Sequence, residues 1–147
     1  MDERADPQKV VSGQDYTRLL SIRTRLRAFE RWSAEQAARY GLTASQHQLL
    51  LAVRGHTEPN GPTIGQVAAY LFLRHNTAVE LADRTERLGM VRRVADPDDQ
   101  RAVRLQLTDR GCTTLAALTD VHLRELAELG PAIDHLVSDF GRDRPPQ

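Results

Sequence analysis

The stretch Arg74–Gly111, RHNTAVELADRTERLGMVRRVADPDDQRAVRLQLTDRG, joins a helix-forming segment to an arginine-rich hairpin and then to the start of another helix. Asn76 and Thr77 carry side chains able to accept from the open N–H groups of a helix start, and Gly89 suits a left-handed C-terminal turn. Between them Ala78, Leu81 and Ala82 recur at helical spacing, which leaves His75, Asn76, Glu80, Arg84 and Arg87 on the opposite, polar face. Val91 opens a strand. Its partner alternates Val103, Leu105 and Leu107 with Arg104 and Gln106, the period of a half-buried sheet. The tip from Ala95 to Arg101 holds the turn formers Asp96, Pro97, Asp98 and Asp99 and projects Arg101. A helix followed by a charged β-ribbon is a shape suited to DNA.

Outward from this stretch the pattern is helical. Leu19, Ile22, Leu26 and Phe29 mark a long first helix that ends before Gly41. Thr43 is the expected N-cap of a second, which carries Leu49, Leu50 and Val53 and breaks near Gly55. The turn Glu58–Pro62 precedes a short helix beginning at Thr63, with Ile64, Val67, Ala68 and Leu71 on one side. After the hairpin, Thr108 caps a long helix bearing Leu115, Leu118, His122, Leu126 and Leu129; Pro131 is expected to end or redirect it, and Ile133, Leu136, Val137 and Phe140 form a last amphipathic piece. These elements predict a mainly α fold with one small antiparallel β-hairpin.

Composition narrows the function classes. The 147 residues include 20 Lys+Arg against 20 Asp+Glu, so no global charge advertises nucleic acid, and any basic face has to be local. From Val91 to Leu105 four arginines (Arg92, Arg93, Arg101, Arg104) face three aspartates (Asp96, Asp98, Asp99). Lys9 is the only lysine; this bias suits bidentate recognition and equally fits a GC-rich coding sequence. The single cysteine, Cys112, excludes an intrachain disulfide framework. His47, His56, His75, His122 and His135 are scattered, and no metal or cofactor is expected. No apolar run approaches the ~20 residues of a membrane span, and MDERADPQK lacks the apolar centre of a signal peptide, so a cytoplasmic protein is expected.

The order of helices, the DPDDQR tip, and above all Asp99-x-Arg101 followed by Leu107-Thr108-x-x-Gly111 resemble the MarR family of winged helix-turn-helix transcriptional regulators. The resemblance extends roughly from Tyr16 to Phe140. Thr85 stands where a core leucine is usual in that family, and Glu80 where many members carry a basic or polar residue that contacts bases. The resemblance implies a winged helix-turn-helix with long N- and C-terminal dimerisation helices. The expected organisation is a disordered terminus over 1–13, dimerisation helices over 14–40 and 108–141, a DNA-binding lobe over 41–107 and a disordered tail over 142–147. Apolar stripes on the terminal helices would face water in a monomer, and pairing two copies removes that cost at ~25 cal/mol per Å². The alternative is that these helices fold back on their own domain.

The implied function is a sequence-specific DNA-binding transcriptional regulator, a repressor of adjacent genes that binds a pseudo-palindromic operator as a homodimer. Thr63 and Gln66 are placed for phosphate contacts at a helix start. Arg74, His75, Asn76 and Thr77 occupy the base-reading end of the recognition helix, and Arg84, two turns on, meets phosphate. Asn76 either pairs with adenine or caps its helix. Arg101 suits the minor groove, with Asp99 orienting its guanidinium. Arg92, Arg93 and Arg104 are either backbone clamps or a solvated strand face. The resemblance also implies a pocket for a small aromatic or anionic effector. Tyr16, Arg23, Trp32, Tyr40 and His47 are its candidate lining, against simple packing of the same side chains. Cys112 is either a redox-sensitive thiol or a small buried side chain. Two other classes stand beside this one. A small enzyme would have to use Asp98, Asp99 and His122, with no nucleophile or phosphate-loop motif to support it; a helical interaction module would present the hairpin to a protein.

Overall fold

Two helices begin by the same local device. Thr43 and Thr63 each accept from the N–H of the glutamine three residues on, Gln46 at 3.1 Å and Gln66 at 3.2 Å, and each glutamine side chain returns to the threonine N–H at 2.9 Å. These are complete capping boxes, satisfying two open donors reciprocally. They start α2 (Ala44–Gly55) and α3 (Ile64–Leu71), which follow α1 (Gly13–Ala38) and precede α4 (His75–Arg87), the hairpin strands β1 (Val91–Ala95) and β2 (Val103–Leu107), and α5 (Asp109–Arg142). The computed structural model describes residues 11–142. The expected disordered ends therefore fall mostly outside the described residues; helix is already present at Gly13 and still present at Arg142.

The chain divides into two compact units, Met1–Arg31 with Arg124–Gln147, and Trp32–Leu123. The second is wider than the expected lobe of residues 41–107, because its core recruits Ala37 from α1 and Leu115 and Leu118 from α5. One buried cluster joins these three residues to Leu42, Leu50, Met90 and Val91. Another joins Leu49, Val53, Val67, Leu81, Ala82 and Leu105 across α2, α3, α4 and β2. Leu107 packs against both. The apolar stripes read for α2 and α4 are thus the buried ones.

Thr85, where the resemblance implies a leucine, is fully buried, and its hydroxyl donates to the Leu81 carbonyl at 2.7 Å. A hydroxyl satisfied within its own helix adds no unpaired polar group to the core.

The hairpin is antiparallel with Val91 opposite Leu107 and Ala95 opposite Val103. β2 gains a second partner on its other edge: the Leu105 N–H donates to the Pro62 carbonyl at 2.9 Å, and Thr63 bridges to Arg104. Gly61 makes this approach feasible, because it holds φ +83 and a Cβ there would lie 2.0 Å from the Leu105 carbonyl oxygen. The helix start after β2 is similarly tight. Thr108 donates to the Gly89 carbonyl at 2.6 Å and accepts from the Gly111 N–H at 3.0 Å, while the Met90 carbonyl passes where a Gly111 Cβ would sit, 2.0 Å away. The L-T-x-x-G signature is therefore a cap followed by a backbone passage.

α5 does not stop at Pro131 but continues through it to Arg142, which corrects the first of the two alternatives, that the proline ends the helix. Proline removes only the N–H that the Ala127 carbonyl would receive, and the turns on either side carry the helix across. In the unit formed by residues 11–31 and 124–142, Leu19, Leu20, Leu26, Leu126 and Val137 are 45–67% exposed. No helix among the described residues is long and apolar enough to cross a membrane.

Gly111→Ala is expected to cost about 1–3 kcal/mol of stability through overpacking against Met90. Gly55→Ala, whose methyl meets nothing within 4 Å, stays within about 0.5 kcal/mol. Urea denaturation of both variants checks this; equal midpoints would contradict the backbone passage.

Candidate nucleic-acid interface

α4 presents its polar face to solvent as its spacing predicted: His75, Asn76, Glu80, Arg84 and Arg87 are all exposed. The helix starts differently from the expectation, however. Arg74 is the N-cap and makes no side-chain cap hydrogen bond, and Asn76 and Thr77 lie inside the first turn with exposed side chains. The reading of Asn76 as a cap is therefore corrected. With Arg74, these side chains form one exposed group at an uncapped helix start. Arg84 lies further along and pairs with Glu80 at 3.5 Å, both side chains about two-thirds exposed, a surface pair of little energetic weight. α3 packs beside α4. At its start Thr63 and Gln66 spend their side chains on each other's backbone in the capping box.

The hairpin sorts its four arginines by partner. Arg93 reaches back to α4, pairing with Asp83 at 2.6 Å and Glu86 at 3.1 Å, while its N–H donates to Glu86 at 2.9 Å. Arg92 donates to Gln106 across the sheet at 3.2 Å. Arg104 turns inward, where its Nε donates to the Asp96 carboxylate and its Nη1 to the Gly61 carbonyl at 2.8 Å. Arg101 is exposed at the tip, and its guanidinium alone among these four has no partner within the described residues. Three of the four arginines thus hold the hairpin together, and the DNA role expected of Arg104 gives way to an internal one.

The carboxylate that organises the tip is Asp96. It is 5% exposed, and besides Arg104 it accepts from the N–H groups of Asp98 at 2.8 Å and Asp99 at 3.2 Å. The Arg104 guanidinium first, and the Asp98 N–H after it, hold the Asp96 carboxyl below its usual range. Asp99 does support the wing, but through the backbone: it accepts from the Arg101 N–H at 3.0 Å instead of gripping the guanidinium. An aspartate directly before proline at a turn is the signal that points to Asp96.

The candidate effector residues separate. Trp32 and His47 come together around His122, which the sequence reading placed on a helical stripe and among the groups a small enzyme would need, but not in the effector pocket. The His122 ring lies 4.8 Å from Trp32 and 4.7 Å from His47. His122 Nδ1 sits 2.6 Å from the Leu118 carbonyl, which can only accept, so in the neutral ring Nε2 accepts from the Ser33 hydroxyl at 2.7 Å. Burial first, then the neighbouring His122, holds the His47 imidazole below its usual range. Tyr40 is exposed, and Tyr16 and Arg23 are exposed in the other unit. Cys112 is exposed, not buried: Gly111 takes the inward position on the first turn of α5 and turns its neighbour out. No group of three or more metal-ligating side chains occurs among the described residues.

Comparisons with known proteins converge. The family model described as MarR family matches residues 40–102. The chain is 32% identical over 108 residues to the HTH-type transcriptional regulator TtmR of Methylorubrum extorquens, covering 74% of this chain and 52% of that protein. It is 28% identical over 86 residues to PecS of Dickeya dadantii, covering 58% and 52%. The chain thus spans about half the length of these two relatives. Its fold is similar to that of a MepR variant from S. aureus bound to an oligodeoxyribonucleotide, with a TM-score of 0.62 at 17% identity over 90% of this chain and 96% of that one. Both relatives are named as HTH-type transcriptional regulators.

Because the folded-state pKa of Asp96 is lowered, its pairing stabilises fully above the ordinary carboxylate value of ~3.9 and is lost as pH falls through the lowered one. Asp96→Asn is expected to melt earlier at neutral pH and to lose less on acidification below about pH 4. Asp99→Asn, whose amide oxygen can still accept from Arg101, keeps the parent melting temperature. Thermal melts across pH check the pair; identical acid limbs for Asp96→Asn and parent would refute the assignment.

Proposed function

We propose that this chain is a winged helix-turn-helix protein of the MarR family, a sequence-specific DNA-binding transcriptional regulator that acts as a homodimer. One observation carries this reading. The polar face of α4, with its uncapped start at Arg74–Thr77, is exposed beside a hairpin whose tip holds an unpartnered Arg101. In a helix-turn-helix the second helix offers its N-terminal residues to base edges in the major groove. Here those residues are Arg74, able to meet guanine bidentately, and His75, Asn76 and Thr77, of which Asn76 matches adenine. Arg101 at the wing tip suits the narrower, more electronegative minor groove. Arg84, two turns into the helix and tethered only by Glu80, meets phosphate.

The exposed leucines and valine of the terminal helix segments support the second copy. Burying them against a two-fold mate removes their contact with water, and two-fold symmetry pairs each patch with itself. A dimer of this kind reads two half-sites about one helical turn, ~34 Å, apart, so the operator is a pseudo-palindrome. Occupation of an operator beside its own gene would repress that gene. A small aromatic or anionic effector would release it only by binding one dimer state in preference to the other.

Arg101→Ala is expected to weaken operator binding roughly tenfold at fixed salt with the fold intact, the cost of one good groove contact. Arg84→Ala should instead lower the slope of log K against log salt by about 0.9. Titration of operator duplex at several salt concentrations separates the two, and an unchanged Arg101→Ala affinity overturns the wing contact. Leu20→Glu, which loses an apolar contact twice across a two-fold axis, is expected to raise the dimer dissociation constant roughly a hundredfold or more. Sedimentation equilibrium reads this directly. A parent protein that sediments as a monomer refutes the dimer.

A further inference from the structure

Phe72 closes α3 as a left-handed C-cap, its N–H donating to the Ala68 and Ala69 carbonyls, but neither the cap nor the core explains why a phenylalanine stands there. It is 96% exposed, and it is the single non-glycine residue with positive φ among the described residues, at φ 54 and ψ 40. A glycine would take this left-handed position without steric cost, and no burial of the ring offsets the strain. An outlier of this kind points toward function. Phe72 caps α3 in the turn that leads to α4, two residues before the exposed Arg74. Its ring borders an open hollow of about 630 Å³ lined by Gln66, Ala69, Tyr70 and His56.

The electrostatics of the segment favour an anionic partner. Between Glu58 and Glu80 the chain contains no carboxylate, while Arg74 and His75 lie within it. In a helix-turn-helix the first helix crosses the phosphate backbone and the start of the second meets base edges, so the turn between them borders both. An uncharged ring there has no use for phosphate. In the major groove, the one apolar group that a base edge offers is the C5-methyl of thymine.

We propose that Phe72 packs against a thymine methyl group and so sets a base preference at the edge of each half-site. This rests on the DNA-binding reading above. The test starts from duplexes that the parent protein selects from a random pool, with each thymine then replaced by uracil, which removes only the methyl group. The parent is expected to lose about five- to tenfold in affinity at one symmetry-related pair of thymines, the scale of a single apolar base contact. Phe72→Asn, whose side chain tolerates the left-handed backbone, is expected to keep the parent fold by circular dichroism and to bind the thymine and uracil duplexes equally. If the parent selects a site but Phe72→Asn still discriminates thymine from uracil, the inference is overturned and the DNA reading stands. If the parent selects no site, both fall. A Phe72→Asn protein that retains discrimination but sediments as a smaller assembly would assign the ring to a contact between copies, which also overturns it.

Discussion

The lobe depends on how the second strand of its hairpin is anchored. β2 pairs with β1 on one side and, through the Leu105 N–H and the Pro62 carbonyl, with the chain before α3 on the other. Arg104 adds a second tie, joining the Asp96 carboxylate at the tip to the Gly61 carbonyl near the base. A two-stranded ribbon alone is marginally stable in water. Held at both faces and both ends, this one becomes an arm of defined direction, and a tip arginine has value for recognition only if its position is defined.

The charges explain how a chain of zero net charge still offers a cationic feature. Arg93 is consumed by Asp83 and Glu86, and Arg104 by Asp96. Pairing removes these carboxylates from the exposed surface together with the arginines they hold. Among the exposed cations left over, Arg74 marks the start of α4 and Arg101 the tip of the hairpin. Such an arrangement favours a few defined contacts over the broad attraction of a basic patch.

Much of this was legible in the residue pattern. The stripe Ala78, Leu81 and Ala82 is buried, the five polar residues opposite it are exposed, and Thr43 and Thr108 cap the helices they were expected to cap. What escaped had non-local causes. Whether Asp96 or Asp99 holds an arginine depends on the strand register that sets Arg104 opposite Val94, and residue types at a tip leave that register open. Pro131 breaks a helix by local rule, yet neighbouring turns override it. The meeting of Trp32, His47 and His122 requires three helices to be assembled, and no spacing within one of them encodes it. Phe72 carries no signal at all in sequence, since an apolar residue after an apolar helix reads as core.

Leu107 packs against both buried clusters, and this ties the two halves of the lobe into one cooperative unit. Neither the α3–α4 side nor the α5 side can loosen without uncovering the same side chain, so partial opening of one exposes apolar surface of the other. Amide protons on both sides of Leu107 should therefore share one exchange rate, that of whole-lobe unfolding, while the wing tip beyond Ala95 exchanges on its own. A lobe built this way keeps α4 and its hairpin base in fixed relation for as long as it is folded, and leaves adjustment to the tip alone.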